Sequence, residues 1–146
     1  MKKRQVVLSP HLDDAVFSCW SKVLQEKSAV VTVFGGVPPA GMKRLWDFLC
    51  GQADSAKMSM LRHEENARVL SEIGAKNITL GYLDHQYAQS LPDRDAVVSE
   101  LLNMCDAEVY FVPMAAAKHY RHPDHVFVRE LGLELQRRGK KVIFYA

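Results

Sequence analysis

The chain has 146 residues, 48% apolar and 25% charged, with 19 lysines and arginines against 17 acids for a net charge of +2. That length suits one domain with one sizeable core. The balanced, interspersed charge gives no case for a nucleic-acid binder, and the basic start of Lys2, Lys3 and Arg4 is too short to act as one. The same start meets only Val6, Val7 and Leu8 before Ser9, Pro10 and His11 interrupt, so it does not read as an export signal. No run approaches the roughly 20 apolar residues needed to span a bilayer. Cys19, Cys50 and Cys105 are odd in number and widely spaced, which reads as free thiols in a reducing compartment. Cytoplasm is the expected location.

Short β-rich runs alternate with helical patterns. Residues 5–8 (QVVL) predict a buried strand. Residues 13–25 predict one helix with Val16, Trp20, Val23 and Leu24 on its apolar side, and Trp20 reads as core. A second strand follows at 29–34 (AVVTVF). Residues 35–57 form a long irregular stretch containing Gly-Gly and Pro-Pro, and a loop of that length in a compact domain is usually functional. Within it, residues 46–51 (WDFLCG) read as a small hydrophobic anchor that packs the loop down, with a substrate lid as the alternative.

Residues 58–73 predict a strong helix with Met60, Leu61, Ala67, Leu70 and Ile73 along one face and Gly74 as its stop. His63 reads as a solvated residue of that helix. Then come a strand at 77–80, a helix at 95–105, a strand at 108–112, a helix at 123–138 stopped by Gly139, and a strand at 141–145. Cys19 and Cys105 fall at helical core spacing and read as packing residues. Strands alternating with helices imply βαβ crossovers, hence a three-layer, Rossmann-like α/β domain with a mostly parallel sheet and helices on both faces. In such sheets ligands bind beyond the carboxyl ends of the strands.

The polar residues gather at those ends. Ser9-Pro10-His11-Leu12-Asp13-Asp14 follows the first strand, Asp84-His85 the third, and His119-Tyr120-Arg121-His122-Pro123-Asp124-His125 the fourth. Zinc takes imidazole nitrogen and carboxylate oxygen, and a catalytic site leaves one position for water. His11 and Asp14 are three apart at a strand-to-helix turn; His122 and His125 are three apart at a helix mouth, with Pro123 suited to the first helical position. Either His122 or His125 could be the third ligand, the other serving proton transfer. Asp13 and Asp14 point roughly 100° apart on a helix, so one as ligand and one as general base is the natural division. This is a hydrolase constellation. A nucleotide-binding domain is disfavoured, because no Gly-x-Gly-x-x-Gly follows the first strand.

At Pro10-His11-Leu12-Asp13-Asp14 and His122-Pro123-Asp124-His125 the chain resembles the PIG-L/LmbE-like family of zinc-dependent N-deacetylases, in the family's motif order and over essentially the whole chain. The resemblance implies that His11, Asp14 and His125 hold Zn²⁺, for which Fe²⁺ or Co²⁺ can substitute. It implies Asp13 as general base, His122 as the residue that protonates the leaving amine or steadies the oxyanion, Asp124 as its tuning partner, and Tyr120 as a transition-state donor. Arg62, in an Arg-x-x-Glu pair with Glu65, and Asp84 would contact substrate. The implied activity is removal of an N-acetyl group from an amino sugar, sugar conjugate or similar small molecule. Residues 1–146 are read as a single domain. Relatives usually continue past the equivalent of Tyr145, so the chain is expected to be a short or C-terminally truncated member. A non-catalytic metal-binding or interaction module is therefore the competing reading, and an uncovered final strand favours self-association.

Overall fold

The computed structural model describes residues 3–25, 28–115 and 122–146. Among the described residues five strands and six helices follow one another as β1 (Lys3–Ser9), α1 (Asp14–Ser18), α2 (Trp20–Val23), β2 (Ser28–Thr32), α3 (Leu45–Leu49), α4 (Ser55–Glu72), β3 (Lys76–Thr79), α5 (Arg94–Met104), β4 (Ala107–Pro113), α6 (Pro123–Arg137) and β5 (Lys141–Tyr145). All strand pairs are parallel, in the order β3-β2-β1-β4-β5. The β-branched runs that favour strands lie at the centre of this sheet, where both faces are covered.

Alternate residues of each strand feed two cores. Val6, Leu8, Ala29, Val31, Tyr110 and Val112 pack with Val97, Val98 and Leu101 of α5 and Phe127, Leu131 and Leu135 of α6. Val7, Val30 and Phe111 face the other way, against Ala15, Cys19 and Val23 of α1 and α2 and Leu70 of α4. The result is three layers, as the alternation of strands and helices implies. Gly132 lets α6 approach the sheet: a Cβ there would lie 2.8 Å from Val112 Cγ1.

Helix boundaries follow local chemistry. Asp54 caps α4, accepting from the backbone N–H groups of Ala56 at 3.0 Å and Lys57 at 3.3 Å, so α4 starts three residues before the expected Met58. Asp93 caps α5 in the same way through the Ala96 N–H. Gly74 and Gly139 follow α4 and α6 with positive φ.

Three expectations need correction. The single helix over 13–25 is broken at Cys19 into α1 and α2, and Trp20 and Leu24 are exposed while Ala15, Cys19 and Val23 are buried. The face that α4 buries is small and polar, with Ser55, Ala56, Ser59, Asn66 and Leu70 inside and Met60 and Leu61 half exposed. His63 is not simply solvated: its Nε2 lies 2.7 Å from the Gly35 carbonyl oxygen.

Candidate metal centre

The sheet order reverses direction between β1 and β4, the point at which ligands bind in such sheets. His11 and Asp14 follow β1; His122, Asp124 and His125 lie at the start of α6, which follows β4. Ser9 shapes the first turn. Its hydroxyl donates to the His11 carbonyl at 2.5 Å and accepts from the Ala15 N–H at 2.9 Å. Pro123 occupies the first turn of α6 with His122 at its N-cap, so Asp124 and His125 project from a fixed helix end.

Two carboxylates organise the crevice. Asp14 Oδ2 accepts the His11 backbone N–H at 2.9 Å and lies 3.2 Å from both His11 Nδ1 and His125 Nε2. Asp124 is fully buried, and its Oδ2 lies 2.8 Å from His11 Nε2 and 3.2 Å from both the backbone nitrogen and Nδ1 of His85. His122 Nδ1 is 4.0 Å from the same oxygen, so the carboxylate expected to tune His122 contacts His11 and His85 more closely. The ring of His122 packs edge-on to those of His11 and His85, with centroids 4.9 and 4.4 Å apart.

Electrostatics follow from this arrangement. Burial alone would lower the His11 pKa, but the Asp124 and Asp14 carboxylates outweigh it and raise it from 6.5 to about 9. Burial likewise opposes ionisation of Asp14, yet His11 and His125 hold its carboxyl well below the usual range. His122 moves the opposite way. Burial, reinforced by His11, pushes it down to about 4, so this imidazole is neutral at pH 7.

Such convergent nitrogen and carboxylate donors fit a divalent cation. Among the described residues His11, Asp14 and His125 each offer one ligand atom, all within 4.8 Å of one another. The same geometry also groups His11 with His122 and Asp124, and Asp124 with Asp84 and His85. Asp124 Oδ1 is buried without a hydrogen-bond partner.

A cavity of about 1000 Å³ opens beside this centre, within the range of small-molecule sites. His11, Asp13, Arg62, His85 and His122 line it, with apolar wall supplied by Phe17 and Trp46. Asp13 is exposed at the start of α1. Asp84 is half-buried and bonded to Gln86, and burial raises its pKa. Tyr120 and His119 lie outside the described residues.

The model for the family described as "PIG-L: GlcNAc-PI de-N-acetylase" matches residues 6–136. The chain belongs to the PIG-L family. That family is one of amide-cleaving de-N-acetylases. No curated protein matches the chain.

Among solved structures, this PIG-L chain is similar to a deacetylase in complex with teicoplanin, from the teicoplanin biosynthesis pathway. The two share 20% identity with a TM-score of 0.80, over 96% of this chain and 68% of the other. It is similar to the A40926 pseudoaglycone deacetylase Dbv21 at 25% identity and a TM-score of 0.78, over 97% and 62%. It is similar also to the N,N′-diacetylchitobiose deacetylase of Pyrococcus horikoshii at 17% identity and a TM-score of 0.70, over 98% and 60%. The chain thus spans between 60% and 68% of the length of these three structures.

Two contacts of the PIG-L site go beyond what the sequence indicates. His85 stands in the sequence only as one of the polar residues after the third strand, and the fold brings it onto Asp124. The expected anchor of the 46–51 segment is inverted. Its apolar residues Trp46 and Phe48 are 61% and 64% exposed, while Asp47 is fully buried against Tyr87 and Arg62. An acid inside an apolar pentapeptide gives no hint that it is the residue turned inward.

Proposed function

We propose that this protein is a metal-dependent N-deacetylase that removes an acetyl group from an amino sugar, sugar conjugate or similar small molecule. The observation that carries this reading is the convergence of His11, Asp14 and His125 beside an open cavity, in a chain whose family is one of de-N-acetylases. The neighbours named as deacetylases of N,N′-diacetylchitobiose and of an antimicrobial pseudoaglycone support a small-molecule substrate.

His11, Asp14 and His125 hold the cation, and Zn²⁺ suits two imidazoles and one carboxylate. This set is preferred over His11, His122 and Asp124 because it leaves the buried Asp124 to receive the second ring N–H of His11, the usual support of a metal-bound histidine. The bound cation would supply a Lewis acid for the acetyl carbonyl and lower the pKa of water.

The remaining chemistry belongs to the chain. Asp13, exposed on the cavity wall, takes the proton of the attacking water as its oxygen bonds to the carbonyl carbon. Neutral His122 then suits the role of hydrogen-bond donor to the developing oxyanion. The C–N bond breaks, the nitrogen takes the proton carried by Asp13, and acetate and a free amine leave. Arg62 and Asp84 contact substrate hydroxyls, and Tyr120 adds a donor to the oxyanion.

The test is acetate release from a panel of N-acetylglucosamine derivatives by the zinc-loaded and the chelated protein. Release that requires the cation supports the reading; full activity after chelation overturns it. The alternative is a cation-binding module without turnover, which the same three donors would also allow. Stoichiometric cation with no acetate from any substrate would establish that alternative.

A further inference from the structure

Asp47 is a charged residue buried outside the metal centre. It sits in the middle of α3 with none of its surface exposed, whereas the apolar residues on either side of it face out. Ordinary patterning would place them the other way round. A buried carboxylate is costly unless its partners are well placed, so those partners indicate what Asp47 is for.

It has two. The Tyr87 hydroxyl donates to Oδ2 at 2.6 Å, and Arg62 Nη2 lies 3.3 Å from Oδ1. The contact with Arg62 is an ion pair by distance, but Oδ1 receives no aligned hydrogen bond. The guanidinium is therefore steered by charge while its fork of donors is not consumed by this carboxylate. Arg62 is 31% exposed, and what it lines is the cavity beside His11 and His85.

Asp47 itself is held firmly. Tyr87 is buried, and burial together with the Asp47 carboxylate keeps its phenol protonated as a donor. The backbone N–H of Tyr87 donates to the Asp84 carbonyl at 3.0 Å, in the turn that carries His85. Arg44, at the start of α3, donates from Nε to the Gln86 carbonyl of the same turn at 2.6 Å. One short helix thus clamps the His85 turn and places a fixed negative charge behind Arg62.

We propose that Asp47 is a positioning residue, which from inside the domain orients the Arg62 guanidinium at the cavity wall to receive substrate oxygen. The proposal rests on the deacetylase reading. Asp47 touches neither the metal ligands nor the reacting atoms, so its effect should appear in substrate binding.

The experiment is a double-mutant cycle on the zinc-loaded full chain, with Asp47→Asn, Arg62→Ala and both together, following acetate release. Asp47→Asn keeps an acceptor for Tyr87 but removes the charge. Each single variant should raise KM roughly tenfold with kcat within about twofold, the signature of lost uniform binding. The double variant should be no worse than Arg62→Ala, because the two act as one unit. Zinc stoichiometry should stay at one throughout. If Asp47→Asn melts early, Arg62→Lys keeps the charge, loses the fork, and should raise KM in a folded protein.

Unchanged KM in Asp47→Asn beside an active wild type overturns the proposal, as does strict additivity, and as does wild-type KM in both Arg62→Ala and Arg62→Lys. Wild-type protein that binds zinc but releases no acetate overturns the deacetylase reading instead, and with it any role for Asp47 in that reaction.

Discussion

His11 and Asp124 are 113 residues apart in the chain, and their side chains meet at 2.8 Å across the crevice between β1 and β4. This contact joins the two ends of the domain at the proposed cation site. It also gives His11 an acid on each ring nitrogen, Asp14 at Nδ1 and Asp124 at Nε2. One carboxylate is then available to share a cation with His11 while the other fixes the ring.

Asp124→Asn should therefore weaken cation binding without removing a ligand. Loss of such a supporting carboxylate typically costs about 10- to 100-fold in metal affinity. Competition against a chromophoric chelator measures it. His125→Ala and Asp14→Ala, which remove ligands, should abolish stoichiometric binding in the same assay, whereas His122→Ala should leave the stoichiometry at one. Loss of binding in His122→Ala but not in His125→Ala would instead point to the His11, His122 and Asp124 set.

Cation affinity should rise with pH. In the cation-free protein His11 holds a proton up to about pH 9, because Asp124 and Asp14 outweigh its burial. The cation must displace that proton, so affinity should climb by up to about tenfold per pH unit below pH 9 and then level. Calorimetry in buffers of different ionisation enthalpy should show proton release on binding at pH 7.

The same groups set the stability of the cation-free protein. The folded pKa of His11 lies above its ordinary 6.5, so its contribution is fully present below pH 6.5 and is lost as pH rises through about 9. Asp14 is depressed, so its contribution is present above the ordinary carboxylate value of 3.8 and is lost as pH falls below it. His122, held down at about 4, costs stability as pH falls below its ordinary 6.5, so urea unfolding in the presence of chelator should give a stability maximum near pH 6.5 that falls away on both sides.

Asp13→Asn should lower kcat by about 10²- to 10⁴-fold, the usual worth of a general base, with zinc stoichiometry unchanged. Acetate release and metal content on the same samples separate the two effects.

Gly132→Val should destabilise the fold by about 1–3 kcal/mol, because α6 cannot approach β4 with a side chain there. The urea midpoint measures it.

Much of the architecture is legible in the chain itself. The short β-branched and aromatic runs that became β1, β2 and β4 are too short for buried helices and read as buried strands, and the rule that ligands gather at strand ends selects His11 and the 122–125 motif. Residues 141–145 form the strand expected of them. Helices are less legible where the core they meet is not set by periodicity. The α1–α2 break at Cys19 moves Trp20 outward, and α4 buries serines and Asn66 that an apolar-face argument passes over. Least legible are contacts whose partners are distant in the chain. Asp47 with Tyr87, and His85 with Asp124, are each separated by about 40 residues and depend on loops that only the completed fold brings together.

The claim on which the account turns is the cation held by His11, Asp14 and His125. Crystals of the zinc-loaded protein, measured on both sides of the zinc absorption edge, test it directly. The account predicts one anomalous peak per chain within bonding distance of those three side chains, at about 2.0–2.2 Å. Absence of a peak in the crevice, or a peak bonded to Asp124 and His122 in place of Asp14 and His125, would contradict it.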